Sequence, residues 1–182
     1  MQTFAVYVDN KPGVLNRVAS LFRRRAFNIE SLTVGHTETD GISRMTIVVD
    51  TDERGARLVE ANLYKLPIVR RVENVTAVPQ ISRDLALIKV KATEGESRVH
   101  VMQLVEVYRA RIVDVAPGSL VVEATGPEAK IDSLVDVLRP YGVLELVRTG
   151  RIAMTRGSGD VRHDKRSRRE EADKGDAAAM SV

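Results

Sequence analysis

The sequence has no cysteine and no tryptophan, and aromatic residues make up only 4% of its 182 residues. The lack of cysteine excludes disulfide bonds and thiolate metal sites. The three histidines, His36, His100 and His163, lie far apart and do not have the short spacing that metal ligands usually show. We therefore expect this chain to hold no metal ion.

Long apolar runs are missing as well. No segment approaches the roughly 20 apolar residues that a membrane-spanning helix needs. The N-terminal segment MQTFAVYVDN lacks the basic and apolar regions of a secretory signal. These absences predict a cytoplasmic protein that does not contact a membrane.

Motifs of known catalytic sites are also absent from the sequence. It contains no Walker phosphate-binding loop, no GxGxxG motif and no Ser/His/Asp arrangement with a supporting signature. We therefore expect no catalytic residue in this chain, and a stand-alone enzyme is the less favoured alternative.

Hydrophobic periodicity in the first half predicts alternating strands and helices. Val14, Val18 and Leu21 have the spacing of one face of an amphipathic helix. Gly41 marks the turn of a hairpin between two strands. The predicted strands are residues 2–8, 28–35, 43–50 and 68–78, and the predicted helices are residues 12–25 and 54–66. The order of elements is βαββαβ.

The second half repeats this order. Val101, Leu104 and Val105 have helical spacing, and Pro117, Gly118 and Ser119 form a turn signal between two strands. The predicted strands are residues 84–92, 111–116, 120–125 and 143–148, and the helices begin at residues 97 and 127. The sequence therefore predicts an α+β protein with two ferredoxin-like βαββαβ domains in tandem.

The domain boundaries follow from this repeat. We assign residues 1–79 to the first domain, residues 80–156 to the second and residues 157–182 to a disordered charged tail. The tail has almost no large apolar residues, so burial cannot offset its chain entropy. A domain of about 70 residues with both helices on one face of its sheet leaves the other face or an edge uncovered, which predicts dimerisation.

Nucleic-acid binding is disfavoured, although RNA-recognition domains share the βαββαβ order. Those domains place aromatic residues on their middle strands, whereas residues 43–50 (SRMTIVVD) contain none. The net charge is only +3, and acidic residues lie among the basic ones. We therefore expect no nucleic-acid partner.

The junction between the first strand and the first helix is the candidate ligand site. A helix N-terminus presents unpaired N–H groups and a partial positive charge, which suit a carboxylate. Pro12 fits a first helical turn, and Gly13 lets a ligand approach the backbone. Asn10 can hold an ammonium group or cap the helix. The alternative is that Asn10 is only an N-cap and Gly13 only a turn residue.

Three segments of the first half resemble the ACT domain of the acetolactate synthase (acetohydroxyacid synthase) small subunit. They are residues 9–22 (DNKPGVLNRVASLF), 28–34 (NIESLTV) and 43–47 (SRMTI). The second half resembles the C-terminal domain of the same family, notably in residues 112–115 (IVDV) and 142–150. The charged tail departs from the usual ending of the family.

The resemblance implies a non-catalytic regulatory subunit. Such a subunit binds the catalytic large subunit, raises its activity and confers feedback inhibition by branched-chain amino acids, usually valine, in valine, leucine and isoleucine biosynthesis. Thiamine diphosphate, magnesium and FAD would belong to the large subunit, so we expect no cofactor in this chain. The alternative is an ACT-type amino-acid sensor that regulates a different enzyme or a transcription factor.

The resemblance also implies an effector site shared by the ACT domains of a homodimer. One chain would contribute the helix N-terminus and its partner the start of the second strand. Val14, Leu15 and Ile29 could line an apolar slot, which distinguishes valine from leucine or isoleucine only weakly. The predicted effector-binding residues are Asn10, Pro12, Gly13, Val14, Leu15, Asn28 and Ile29.

Overall fold

The computed structural model describes residues 1–93 and 95–157. These residues form two compact units, Met1–Ile81 with residues 153–157, and Ser82–Ile152. The first boundary lies between Ile81 and Ser82, close to the predicted change of domain between residues 79 and 80. Residues 158–182, which make up almost all of the predicted tail, lie outside the described residues.

The first unit is a four-stranded antiparallel sheet with two helices packed on one face. Its strand order is β2-β3-β1-β4, so β1 is central and β2 lies at an edge. The predicted βαββαβ order is confirmed. The elements are β1 (Gln2–Asp9), α1 (Val14–Arg24), β2 (Ile29–His36), β3 (Ile42–Val49), α2 (Glu53–Leu63) and β4 (Val69–Asn74).

The core of this unit lies between the sheet and its helices. Alternate residues of a strand point to the same face, and Phe4, Val6 and Val8 of β1 are fully buried on the helix side. Val18 and Phe22 of α1 pack against them. The spacing that predicted the helix is therefore the spacing that fills the core.

The turn after α1 fixes where β2 begins. The Phe27 N–H donates to the Phe22 carbonyl at 3.1 Å, and the Ala26 N–H donates to the Arg23 carbonyl at 3.2 Å. This is the hydrogen-bond pattern of a Schellman motif. Ala26 has the left-handed φ of +55° that this motif requires. The Phe22 and Phe27 rings meet edge to face, with their centroids 6.4 Å apart, so the chain enters β2 in a fixed direction.

The end of β1 is held by charged side chains. Arg70 Nε donates to Asp9 Oδ1 at 2.6 Å, and Lys11 Nζ donates to Asp9 Oδ2 at 3.3 Å. The Asp9 N–H also donates to the Ile68 carbonyl at 2.9 Å. The hydrogen bond from Arg70 is the main reason that the pKa of Asp9 lies below its ordinary value, with a smaller contribution from Lys11.

The second unit repeats the architecture, with the strand order β6-β7-β5-β8. β5 begins at Gln80, earlier than the predicted residue 84, and the sequence did not predict β9, which pairs with β5. A short 3₁₀ turn, Arg139–Tyr141, follows the second helix of this unit. The elements are β5 (Gln80–Lys91), α3 (Glu96–Val107), β6 (Arg111–Ala116), β7 (Ser119–Gly126), α4 (Glu128–Leu138) and β8 (Val143–Arg148). The next strand is β9 (Ile152–Thr155), whose residues from Ala153 onward belong to the first unit.

The sheet face opposite α1 and α2 is partly covered by the end of the described chain. Ala5, Val75 and Ala153 form a small buried apolar cluster. Arg44 Nη2 donates to the Ala153 carbonyl, and its Nε donates to the Tyr7 hydroxyl at 3.3 Å. Among the described strands, β2 pairs only with β3, so its other edge stays unpaired.

Replacement of Ala26 by glycine is expected to raise the free energy of unfolding by about 0.5–1 kcal/mol. Glycine adopts a positive φ without the steric cost that an L-residue has there. Ala19→Gly, in the interior of α1, is the matched control and should lower the free energy of unfolding by about 1 kcal/mol. Urea denaturation of both variants at pH 7 measures the two changes. Destabilisation by Ala26→Gly would contradict the left-handed turn.

Replacement of Asp9 by asparagine is expected to lower the free energy of unfolding by about 1 kcal/mol at pH 7. Because the folded-state pKa of Asp9 is lowered, its stabilisation is present above the ordinary carboxyl pKa and disappears as the pH falls through the lowered value. The difference from wild type should therefore shrink as the pH falls below the ordinary carboxyl pKa, and it should vanish once the pH lies below the lowered pKa of Asp9. Urea denaturation at a series of pH values measures it. Asp136→Asn, in an exposed pair with Arg139, is the control and should change stability by less than about 0.5 kcal/mol.

Candidate functional site

The candidate site is centred on the turn between β1 and α1. Gly13 is the N-cap of α1 and has a left-handed φ of +81°. Its carbonyl accepts the Arg17 N–H at 3.1 Å, and no side chain of the described residues caps this end of the helix. The space where a Cβ would stand is open. The requirement for glycine here therefore comes from the backbone conformation, and the open space leaves room for a ligand.

Pro12 lies outside the helix, so the prediction that it occupies the first helical turn is wrong. Gly13 in the left-handed region cannot continue a right-handed helix, and α1 therefore begins at Val14. Pro12 instead belongs to a turn in which the Val14 N–H donates to the Lys11 carbonyl at 3.3 Å. Its ring fixes one φ of this turn.

Two backbone donors at the start of α1 face no protein acceptor. In the described part of the chain, neither the Leu15 N–H nor the Asn16 N–H forms a hydrogen bond with the protein. The first turn of α1 carries no acidic side chain that would neutralise the positive end of the helix dipole. The two N–H groups can therefore bind a carboxylate.

Asn10 is held beside this helix end by the β2–β3 hairpin. Its N–H donates to the Gly41 carbonyl at 2.8 Å, and its side-chain Nδ2 lies 3.4 Å from His36 Nδ1. Gly13 is the N-cap, so the alternative role of Asn10 as the helix cap is ruled out. Sequence reasoning did not identify His36 as part of this site. Its contact with Asn10 joins residues 26 positions apart, and no local pattern marks such a pair.

The two apolar residues at the start of α1 have different environments. Val14 is only 6% exposed and belongs to the core, whereas Leu15 is 48% exposed. The Val14 side chain therefore cannot line a surface slot, which corrects the role suggested for it. Leu15 is free to contact an apolar ligand group.

The residues predicted to complete the site lie where β2 begins. Asn28 is exposed, and its Nδ2 donates to Glu30 Oε1 of the same chain. Ile29 is half-buried and packs against the core from the first residue of the edge strand β2. An edge strand has an unpaired side that a second chain can approach. The pairing of Asn28 and Ile29 with the junction of another chain stays a prediction.

Residues 1–93 and 95–157 contain no cluster of three or more His, Asp or Glu side chains placed to hold a metal ion. In the same residues, no helix is long and apolar enough to cross a membrane.

Comparison with protein families and known proteins gives consistent matches. The AHAS small subunit-like ACT domain family matches residues 4–71, and the family described as small subunit of acetolactate synthase matches residues 83–157. The chain is 51% identical over 156 residues to the probable acetolactate synthase small subunit of Archaeoglobus fulgidus, covering 86% of this chain and 97% of that protein. It is 50% identical over 155 residues to the acetolactate synthase small subunit of Mycobacterium leprae, covering 85% and 91%.

A solved structure agrees with these relatives. The crystal structure of the acetolactate synthase small subunit from Thermotoga maritima superposes with a TM-score of 0.81 at 39% identity. The match covers 86% of this chain and 97% of that chain. The family matches, the relatives and this structure agree over both units of the fold, and the chain belongs to the acetolactate synthase small-subunit family.

Proposed function

We propose that this chain is a non-catalytic regulatory subunit that binds the catalytic large subunit of acetolactate synthase and raises its activity. We further propose that it confers feedback inhibition by a branched-chain amino acid, with valine as the expected effector. The observation that carries the effector proposal is the uncapped N-terminus of α1, where the N–H groups of Leu15 and Asn16 have no acceptor within residues 1–93 and 95–157.

A free amino acid matches the chemistry of this junction. Its carboxylate would accept the two N–H groups and be favoured by the positive end of the helix dipole. Its ammonium group would donate to Asn10 Oδ1, for which no donor is found among the described residues. Its aliphatic side chain would contact Leu15 and, across a chain interface, Ile29 of a second copy.

A site shared by two copies gives the effector a means of regulation. A ligand that contacts both chains stabilises their pairing by mass action. It changes the activity of a catalytic subunit only if it binds two states of the complex with different affinity. The thiamine diphosphate, magnesium and FAD chemistry would belong to the large subunit, and no residue of this chain is assigned to it.

Replacement of Gly13 by aspartate is expected to abolish inhibition by valine and to leave activation of the large subunit largely intact. The new carboxylate would repel the effector carboxylate at the N–H groups of α1. Gly13→Ala is the control, because it adds similar backbone strain without charge and its Cβ meets no atom within 4 Å. The rate of acetolactate formation by the reconstituted enzyme, with and without valine, measures both effects. Wild-type sensitivity in Gly13→Asp would overturn the site assignment, and a failure of the wild-type chain to activate would overturn the partner assignment.

Replacement of Asn28 by alanine is expected to weaken valine binding by about 1–3 kcal/mol, the range for a lost hydrogen bond to a charged group. Asn74→Ala is the matched control, because Asn74 is an exposed asparagine of the same unit whose side chain contacts Gln2. Titration calorimetry of the full-length chain with valine measures both affinities. An unchanged affinity in Asn28→Ala would remove Asn28 from the site.

A further inference from the structure

The β2–β3 hairpin holds Asn10 at two points. The Gly41 carbonyl fixes its backbone, and His36 contacts its side-chain amide. The hairpin is itself ordered at its turn, where Thr37 Oγ1 donates to the Ile42 carbonyl at 3.1 Å and the Thr37 N–H donates to the same carbonyl at 3.2 Å. The hydrogen bonds of the turn therefore hold the His36 imidazole next to the Asn10 side-chain amide.

The two atoms that face each other determine which of them donates. Asn10 Nδ2 carries two N–H donors and no acceptor, so a hydrogen bond at 3.4 Å requires an unprotonated Nδ1 on His36. In this state the amide oxygen Oδ1 points away from the ring and is free to accept. Protonation would turn Nδ1 into a donor, and the Asn10 amide would have to rotate by half a turn to meet it with Oδ1.

We propose that His36 is a positioning residue that orients the Asn10 amide so that its oxygen, and not its nitrogen, faces the ammonium group of the effector. This inference rests on the proposed function. With a neutral imidazole, Asn10 accepts a hydrogen bond from the ammonium group. With a protonated imidazole, Asn10 would present N–H donors to a cation that carries only donors. Protonation of His36 therefore weakens effector binding.

Other charged residues lie near His36 or Asn10 along the chain or in the sheet register, and their charges bear on this effect. They are Asp9 and Lys11 at the β1–α1 junction, Glu38 and Asp40 in the β2–β3 turn, and Arg44 on β3, opposite Gly35 in the sheet register. Asp9 has a lowered pKa because of its hydrogen bond to Arg70, so it stays ionised from weakly acid pH upward. These groups are the same in wild type and in a chain that differs only at residue 36. A comparison of the two chains therefore removes the contribution of these groups to the pH dependence of binding.

The test measures valine binding by equilibrium dialysis of the full-length chain at pH 8 and pH 5.5. Protonation of the His36 imidazole is expected to raise the wild-type dissociation constant about tenfold, which corresponds to the loss of one charge-assisted hydrogen bond. His36→Gln keeps a neutral acceptor at every pH, so its affinity should resemble wild type at pH 8 and change by less than about twofold at pH 5.5. His100→Gln, at an exposed histidine on α3, is the control and should keep the full pH dependence.

A second measurement needs no effector. The side-chain NH₂ resonances of Asn10, followed by NMR from pH 8 to pH 5.5, should shift in wild type and in His100→Gln but not in His36→Gln. Unfolding midpoints at both pH values show whether the variants stay folded. Valine binding with no pH dependence, or with the same dependence in His36→Gln, would overturn the inference and leave the proposed function standing.

Absence of valine, leucine and isoleucine binding at pH 8 would overturn the proposed effector. In that case the NMR titration alone decides whether His36 orients Asn10. A shift confined to chains that retain His36 would support the orienting contact, and Asn10 resonances that do not move would overturn it.

Discussion

The candidate site depends on the central position of β1 in its sheet. β1 pairs with β3 on one side and β4 on the other. Its last residue, Asp9, pairs with Ile42 of β3, and its N–H donates to the Ile68 carbonyl just before β4. Asp9 then bonds to Arg70 at the start of β4, and Asn10 bonds to Gly41 in the hairpin turn. These contacts fix the point at which the chain leaves the sheet, and the left-handed Gly13 then sets where α1 begins.

The start of α1 combines an unusual backbone conformation with ordinary core packing. The left-handed Gly13 forms the N-cap without a side-chain partner, which leaves N–H groups of the first turn open. Val14 and Val18 fix the helix to the core, so these donors cannot move away from the turn. An anion site therefore needs no residue dedicated to it beyond the glycine, since the core holds the helix and the helix supplies the charge.

Much of the fold could be predicted because a helix or strand with one buried face must carry apolar residues at the spacing of that element. The spacing of Val18, Leu21 and Phe22 predicted α1, and the same side chains fill the core. The start of α1 was predicted two residues too early, because Pro12 suits a first helical turn and the sequence gives no direct measure of the φ of Gly13. β9 was missed because a strand of four residues carries too little alternation to be recognised.

The sequence by itself determined the order of the elements, their repetition in two units, and the junction motif that pointed to the family. These are local properties, set by the spacing of hydrophobic residues and by the backbone conformations that glycine and proline prefer. Only the tertiary structure decided which side of α1 is available, with Val14 buried and Leu15 exposed. It also decided that His36 lies beside Asn10, because strand pairing brings together residues that no local pattern connects.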